Sequence, residues 1–324
     1  MTDLQQIRQQ IRIGTRASNL ARWQTDHVAA LLRQQHPTLE PTIQVISTKG
    51  DEILDQALPL IGGKGLFTEA LENALRGGDI DCAVHSLKDL PTEDAPGLVV
   101  GAIPDRADVR DVIVSRDHRP LADLPEGATV GTSSRRRAAQ LLHRRPDLNI
   151  IDIRGNVETR IKKVFADDTP YDATLLAYAG VARLGLSQHI AEVLPLELML
   201  NAPGQGALGI QCRTDADAAT IFAPLNHIGT RLAAEAERAF LAGLGGGCSV
   251  PVAAFAHEDG DTLHLHGRVI AVDGGKLIDV KGQVTFAPDA DDSARTTHAL
   301  KLAQNLANQA RAQGADAILA GLEA

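Results

Sequence analysis

Short apolar runs alternate with helical patterns along the first half of the chain, and this alternation restricts the fold more than any other feature. The first unit has predicted strands at 11–15, 42–47 and 80–84 and predicted helices at 18–35 and 67–76. Ser18 is a suitable N-cap for the first helix, and Gly77 and Gly78 end the second. A strand–helix–strand–helix–strand order predicts a largely parallel, doubly wound sheet.

A second unit of the same kind follows. Its predicted strands are 111–115, 128–131, 149–153 and 173–177, and its predicted helices are 135–144 and 157–165. Beyond Pro195 the pattern changes. Residues 206–212 resemble a strand that returns to the first sheet, and a helix at 229–244 precedes alternating, strand-like stretches. The sequence therefore predicts an α/β protein with three domains, namely 1–104 together with 205–226, 105–204, and a smaller α+β domain at 227–324.

The composition is that of an ordinary globular protein. Hydrophobic residues make up 44% of the 324 residues and charged residues 23%. No apolar run approaches the ~18 residues of a membrane span, and the first residues lack the pattern of a signal peptide. Cys82, Cys212 and Cys248 form no disulfide framework, so we expect a reducing, cytoplasmic compartment. Cys82 and Cys212 lie in predicted strands and are expected to be core thiols.

The charge of the chain is unevenly distributed. The formal net charge is −9, which argues against general binding to nucleic acid or to an anionic membrane. The span 135–163 nevertheless contains nine Lys or Arg residues against three acids. A basic cluster on an acidic protein predicts a site for a specific anion.

A glycine-rich turn presents one thiol. Gly245, Gly246 and Gly247 precede Cys248, and Pro251 prevents a regular element from continuing. A thiol presented in this way is accessible as a nucleophile or an attachment point. A helix that ends in a glycine turn, followed by a small buried cysteine, explains the same residues.

Two turns resemble anion sites because each leads from a strand into a helix N-terminus, where N–H groups are unpaired. In residues 14–18, Arg16 and Ser18 add donors, although Ser18 alone is explained as a cap. In residues 131–137, three arginines follow Thr132, Ser133 and Ser134. Cations in a first turn oppose the helix dipole, so an anion is expected there. The alternative is a solvated basic face.

Two further turns carry charged residues. Arg154 begins the turn at 154–160, and with Lys64 in the segment 62–65 it would add to the positive charge. The spacing is not that of a Walker loop, so carboxylates and phosphates are equally suitable anions. In residues 84–91, Lys88 is a candidate anion contact and Asp89 a candidate proton donor or stabiliser of a cation. A surface turn explains that pair as well.

Other parts of the sequence do not indicate catalytic chemistry. His85 is interpreted as a hydrogen-bonding scaffold residue rather than a base. No spacing of His, Cys, Asp or Glu predicts a metal site, and no Ser-His-Asp arrangement is recognisable.

In order along the chain, these motifs resemble the porphobilinogen deaminase (hydroxymethylbilane synthase) family. The matching residues are 14–16, 62–67, 84–89, 131–134, 136–137, 154–157, 204–207 and 246–248. Each motif alone is weak, but their ordered combination over nearly the whole chain is specific.

The resemblance implies a fold and a reaction. The fold has two domains like type II periplasmic binding proteins with a cleft between them, and a third α+β domain. Cys248 matches the position that holds one dipyrromethane cofactor per chain through a thioether. Asp89 matches the aspartate that assists the deamination and coupling of four porphobilinogen molecules. The family is usually monomeric.

The resemblance also implies which side chains contact substrate and cofactor. They are Arg16, Ser18, Lys64, Phe67, Ser86, Lys88, Thr132, Ser134, Arg136, Arg137, Arg154, Arg160, Arg183 and Gln205. Many of them are cationic, as acetate and propionate side chains require. The sequence departs from the family pattern at Leu60, Arg135 and Tyr178.

Two other classes of function compete with this interpretation. A non-catalytic binding protein with the same two-domain fold would carry a secretion signal and would need no presented thiol. A nucleic-acid binder would use the arginine cluster, but the acidity of the chain and its 3% aromatic content oppose base stacking. We therefore expect neither nucleic-acid nor membrane partners.

Overall fold

The computed structural model describes residues 10–48, 68–214, 220–247 and 250–321. The strands are β1 (Gln10–Thr15), β2 (Glu40–Val45), β3 (Cys82–Ser86), β4 (Leu98–Ala102), β5 (Asp111–Ser115), β6 (Thr129–Gly131), β7 (Asn149–Ile151), β8 (Ala173–Ala177), β9 (Glu192–Val193), β10 (Leu208–Arg213), β11 (Val252–Asp259), β12 (Thr262–Ile270) and β13 (Leu277–Thr285). The helices are α1 (Asn19–Gln35), α2 (Glu69–Gly77), α3 (Arg135–Arg144), α4 (Val157–Phe165), α5 (Tyr178–Arg183), α6 (Ile228–Gly243), α7 (Asp292–Ala312) and α8 (Ala315–Ala320).

The chain divides into two units. Of the described residues, the first unit contains 10–48, 68–106, 207–214 and 220–227, and the second contains the rest. The second unit includes two separate sheets, one for each of the two later domains that the sequence predicts. The exact boundaries of three domains stay a prediction.

The sheet of the first unit has the strand order β2–β1–β3–β10–β4. β1 is parallel to β2 and β3, whereas β10 is antiparallel to β3 and β4. The predicted return of the strand at 206–212 to this sheet is confirmed. The prediction of a largely parallel sheet is correct for β2, β1 and β3 and wrong for β10, because a strand from a distant part of the chain can join a sheet in either direction.

The core of the first unit explains why its elements form. α1 buries Val28 and Leu32 in the cluster that contains Ile11 and Ile13. Ser18 caps this helix, since its Oγ atom accepts a hydrogen bond from the Ala21 N–H group at 3.3 Å. Cys82 on β3 and Cys212 on β10 lie opposite each other in the sheet. Both are buried, which confirms them as core thiols.

The first sheet of the second unit has the order β7–β6–β8–β5–β9. β6 is parallel to β7 and β8, and β5 is antiparallel to β8 and β9. The strand predicted at 149–153 ends at Ile151. Beyond that point, the carbonyl groups of Asp152 and Ile153 accept hydrogen bonds from side chains instead of a neighbouring strand.

The last part of the second unit is the predicted α+β domain. β11, β12 and β13 form an antiparallel sheet, against which α6 and α7 pack. A side chain at Gly267 would overlap the Phe240 ring, so this glycine lets the helix approach the sheet. The α/β fold class with a smaller α+β domain is confirmed. No helix in the described residues has the length and apolar character of a membrane span.

Candidate functional site

In the first unit, predicted site residues follow the carboxyl ends of two adjacent parallel strands. Arg16 and Ser18 follow β1, and Ser86 ends β3. Ligands of open α/β sheets bind at this end of the strands. Arg16, Ser18 and Ser86 are all half-buried. The cap at Ser18 is confirmed, its contact with a ligand stays a prediction, and Arg16 is the charged side chain of the turn.

Lys88 and Asp89 lie on a short 3-10 turn that the protein core holds at both ends. Leu87 is buried, and its N–H group donates to the Ala207 carbonyl at 3.0 Å. Leu90 is buried, and its N–H group donates to the Leu87 carbonyl at 3.2 Å. Between these anchors Lys88 is half-buried and Asp89 is exposed. The turn is therefore a fixed platform for two charged groups rather than a loose surface turn.

His85 is a scaffold residue beside this turn. Its pKa is lowered to about 4, mainly by burial; a hydrogen bond with Gln211 opposes this shift and the nearby charge of Arg16 adds to it. The Nε2 atom lies 3.1 Å from the Gln211 Oε1 atom, which accepts the hydrogen bond. A neutral, buried imidazole that already donates to an amide is poorly suited to act as a base.

A carboxylate of the protein itself lies beside two of the three arginines of residues 135–137. The Asp111 carboxylate lies 2.8 Å from the Arg136 Nη2 atom and 2.8 Å from the Arg137 Nη2 atom. These guanidinium groups also donate to the Leu200 and Leu175 carbonyls. The alternative of a solvated basic face is wrong for both arginines, because they are buried. Asp111 balances part of their charge, and their contact with a ligand anion stays a prediction.

Gln205 joins the same group. Its Nε2 atom donates to Asp111 Oδ1 at 2.9 Å and to the Val109 carbonyl at 2.7 Å. We call Asp111, Arg136, Arg137 and Gln205 the Asp111 cluster. The resemblance assigns Arg136, Arg137 and Gln205 to ligand contacts, and all three contact the buried Asp111 carboxylate.

The other predicted residues of the second unit lie in turns with fixed backbones. Thr132 is buried, and its Oγ1 atom accepts from the Ser134 N–H group at 3.2 Å. Ser134 caps α3. Arg160 donates from Nε to the Gly155 carbonyl at 2.8 Å and so closes the turn that begins at Arg154. Gly155 has a φ of +114°, a conformation that favours glycine.

Arg183 is hydrogen-bonded to the backbone of the residue that follows Gln205. Its Nη2 atom donates to the Gly206 carbonyl at 2.8 Å, and burial lowers its pKa to about 10. Gly206 has a φ of +87°, and a Cβ atom there would lie 2.5 Å from the Ala107 carbonyl oxygen. Only glycine fits this turn.

Some of the predicted residues lie outside the described part of the chain. They are Lys64, Phe67 and Cys248, together with Leu60. In the described ranges, no three His, Cys, Asp or Glu side chains form a group that could hold a metal ion.

Two residues of these sites are not among the predicted site residues. Asp111 was predicted only as the start of a strand, and Gln24 only as part of a helix. Gln24 is buried, and its Nε2 atom donates to Ser86 Oγ at 2.9 Å. The signal for each was a polar residue at a position that the apolar periodicity assigns to the core.

Two family models match the chain. One is described as porphobilinogen deaminase, dipyromethane cofactor binding domain, and matches residues 11–221. The other is described as porphobilinogen deaminase, C-terminal domain, and matches residues 231–311.

Similar proteins cover almost the full length. The porphobilinogen deaminase of Syntrophotalea carbinolica is 49% identical over 97% of this chain and 96% of its own. That of Xanthomonas euvesicatoria is 50% identical over 94% and 97%. Among solved structures, the methionine-binding protein MetQ is 13% identical with a TM-score of 0.40, covering 67% of this chain and 89% of that chain.

Proposed function

The chain belongs to the porphobilinogen deaminase family, and we propose that three of its turns, at 14–18, 86–90 and 131–137, bind substrate and promote the reaction. The protein is a transferase of tetrapyrrole biosynthesis that acts on porphobilinogen. Four substrate molecules are deaminated and joined head to tail, and water releases hydroxymethylbilane. The anchored turn with Asp89 is the observation that supports this assignment of residues.

Asp89 is the proposed catalytic residue. It is exposed between two anchored leucines, so its carboxylate can lie beside the pyrrole nitrogen of a bound substrate. Loss of ammonia from porphobilinogen leaves a positive charge that this nitrogen shares. A fixed carboxylate at that position stabilises the charge and lowers the barrier. Its neighbour Lys88 is proposed as an anion contact.

The family's dipyrromethane cofactor is proposed to be attached to Cys248. When bound, it supplies the primer to which substrate units are joined. The donor set of the first unit fits a ligand with acetate and propionate groups. Arg16 follows β1, Ser86 ends β3, and Lys88 follows β3. Together they supply two cationic groups and one hydroxyl group as donors. These three residues would hold its carboxylates.

Further anion contacts are proposed within the second unit, taken by itself. Its Asp111 cluster has two guanidinium groups for one carboxylate, which favours binding of another anion. The remaining proposed contacts are Ser18, Thr132, Ser134, Arg154, Arg160 and Arg183, with Lys64 and Phe67 assigned from the resemblance alone. We also propose a cytoplasmic monomer without nucleic-acid partners; the net charge of −9 supports the last of these points.

Intact mass measurement after incubation with porphobilinogen tests the proposal. The wild-type protein should carry an added mass of two deaminated porphobilinogen units, and Cys248→Ser should not. Cys82→Ala is the matched control, because Cys82 is buried and should not affect loading. An unmodified wild-type protein, or equal loading of Cys248→Ser, would contradict the proposal.

A further inference from the structure

Gln24 is a buried amide on the inner face of α1. It is 3% exposed and shares this face with Val28 and Leu32. Burying an amide costs free energy unless its polar atoms are hydrogen-bonded. The Gln24 Nε2 atom meets this need by donating to Ser86 Oγ at 2.9 Å.

This hydrogen bond fixes the direction of the Ser86 hydroxyl group. A hydroxyl has one donor and two acceptor positions. Because its oxygen accepts from Gln24, its proton is directed away from Gln24 and is available for a second partner. Had the amide oxygen faced Ser86, the hydroxyl would have donated to Gln24, and its lone pairs would have faced the ligand.

The second partner follows from where Ser86 lies. Ser86 ends β3 and directly precedes the turn that carries Lys88 and Asp89. An ionised carboxylate only accepts hydrogen bonds, so a hydroxyl proton favours it and a hydroxyl lone pair repels it.

We propose that Gln24 is a positioning residue that sets the Ser86 hydroxyl as a donor to a substrate carboxylate. This inference rests on the proposed function, because it takes Ser86 as a substrate contact. It assigns Gln24 a part in selecting substrates with an ionised carboxylate, although Gln24 itself touches only Ser86 in this step.

The test reverses the polarity of the pair. In Gln24→Glu the carboxylate accepts from the Ser86 hydroxyl, which then presents lone pairs to the substrate. The KM for porphobilinogen should rise about tenfold while kcat changes less than about twofold. Gln34→Glu is the matched control, since Gln34 lies exposed on the same helix. Its KM should remain that of the wild type.

A double-mutant cycle separates the hydroxyl effect from the added charge. In the Ser86→Ala background, Gln24→Glu should raise KM less than about twofold, because the group on which it acts is absent. An equal rise in both backgrounds, or a wild-type KM in Gln24→Glu, would overturn the inference.

Two further measurements keep the result interpretable. Should Gln24→Glu fail to fold by circular dichroism, Gln24→Met repeats the cycle without a new charge. It should raise KM about threefold, and only when Ser86 is present.

Wild-type protein that neither loads nor turns over porphobilinogen would contradict the proposed function. Normal wild-type turnover with an additive cycle would contradict only the role of Gln24.

Discussion

The Asp111 carboxylate lies 2.8 Å from the Nη2 atom of Arg137 in the interior of the second unit. Arg136 pairs with the same carboxylate, and burial lowers the pKa of Arg136 while Asp111 raises it. Two guanidinium groups at the start of α3 oppose the helix dipole. Asp111 offsets that cost, so arginines that look like a ligand site in the sequence are also part of the core.

Removing this charge should destabilise the protein strongly. Asp111→Asn leaves two buried guanidinium groups without a carboxylate, and we expect the free energy of unfolding to fall by about 3–5 kcal/mol in urea titrations. Asp108→Asn is the control, because the pair of Asp108 with Arg110 is partly exposed and contributes about 1 kcal/mol or less. A loss below about 1 kcal/mol in Asp111→Asn would show that the cluster does not depend on its carboxylate.

Local signals made much of this fold predictable. The sequence predicts α1 at 18–35 and the helix spans Asn19–Gln35, because Ser18 caps it and Pro37 follows its end. β2 begins two residues before the predicted strand and includes Pro41, which is tolerated because β2 is an edge strand.

Long-range relationships could not be predicted in the same way. Asp111 is separated from Arg137 by 26 positions and Gln24 from Ser86 by 62. No periodicity connects such pairs; only the strand order brings them together. β4 is absent from the predicted strands, although its residues from Leu98 to Ala102 pair with the distant strand β10.

Asp89→Asn should separate catalysis from binding. The amide keeps the shape of the side chain but cannot stabilise a positive charge on the pyrrole, so kcat should fall at least about a hundredfold with KM within about threefold. Steady-state kinetics with porphobilinogen measures both. Asp94→Asn, an exposed substitution a few residues further on, should leave both constants unchanged. If kcat of Asp89→Asn stays within about threefold of wild type, Asp89 is not the catalytic residue.

His85 should make stability depend on pH. Its pKa is about 4 in the folded protein, against about 6.5 in an unfolded chain. Between these values the unfolded state binds the extra proton, so stability is lost as pH falls from about 6.5 towards 4. Between pH 7 and pH 5, His85 should lower the free energy of unfolding by about 2 kcal/mol. The fall in unfolding free energy should therefore be smaller in His85→Gln than in the wild type.

A control at another histidine makes this measurement specific. His298 is exposed on α7, so His298→Gln should keep the pH dependence of the wild type. Identical pH profiles for His85→Gln and the wild type would mean that His85 is not held neutral by burial.

Glu237 links the turn before β10 to strand β11, and its substitution should lower the free energy of unfolding. It is buried on α6, and its two carboxylate oxygens accept from the Gly204 N–H group at 2.7 Å and the Ala256 N–H group at 2.8 Å. In Glu237→Gln one oxygen becomes an NH2 group that faces a backbone donor, so one buried N–H loses its acceptor. We expect a loss of about 1–3 kcal/mol in unfolding free energy.

Glu235→Gln is the control. Glu235 lies in the half-buried pair with Arg231, so this substitution should lower the unfolding free energy by less than about 1 kcal/mol. Because Gly204 directly precedes Gln205, hydrogen exchange at 204–206 should also rise in Glu237→Gln alone; unchanged exchange there would show that the turn is held by other contacts.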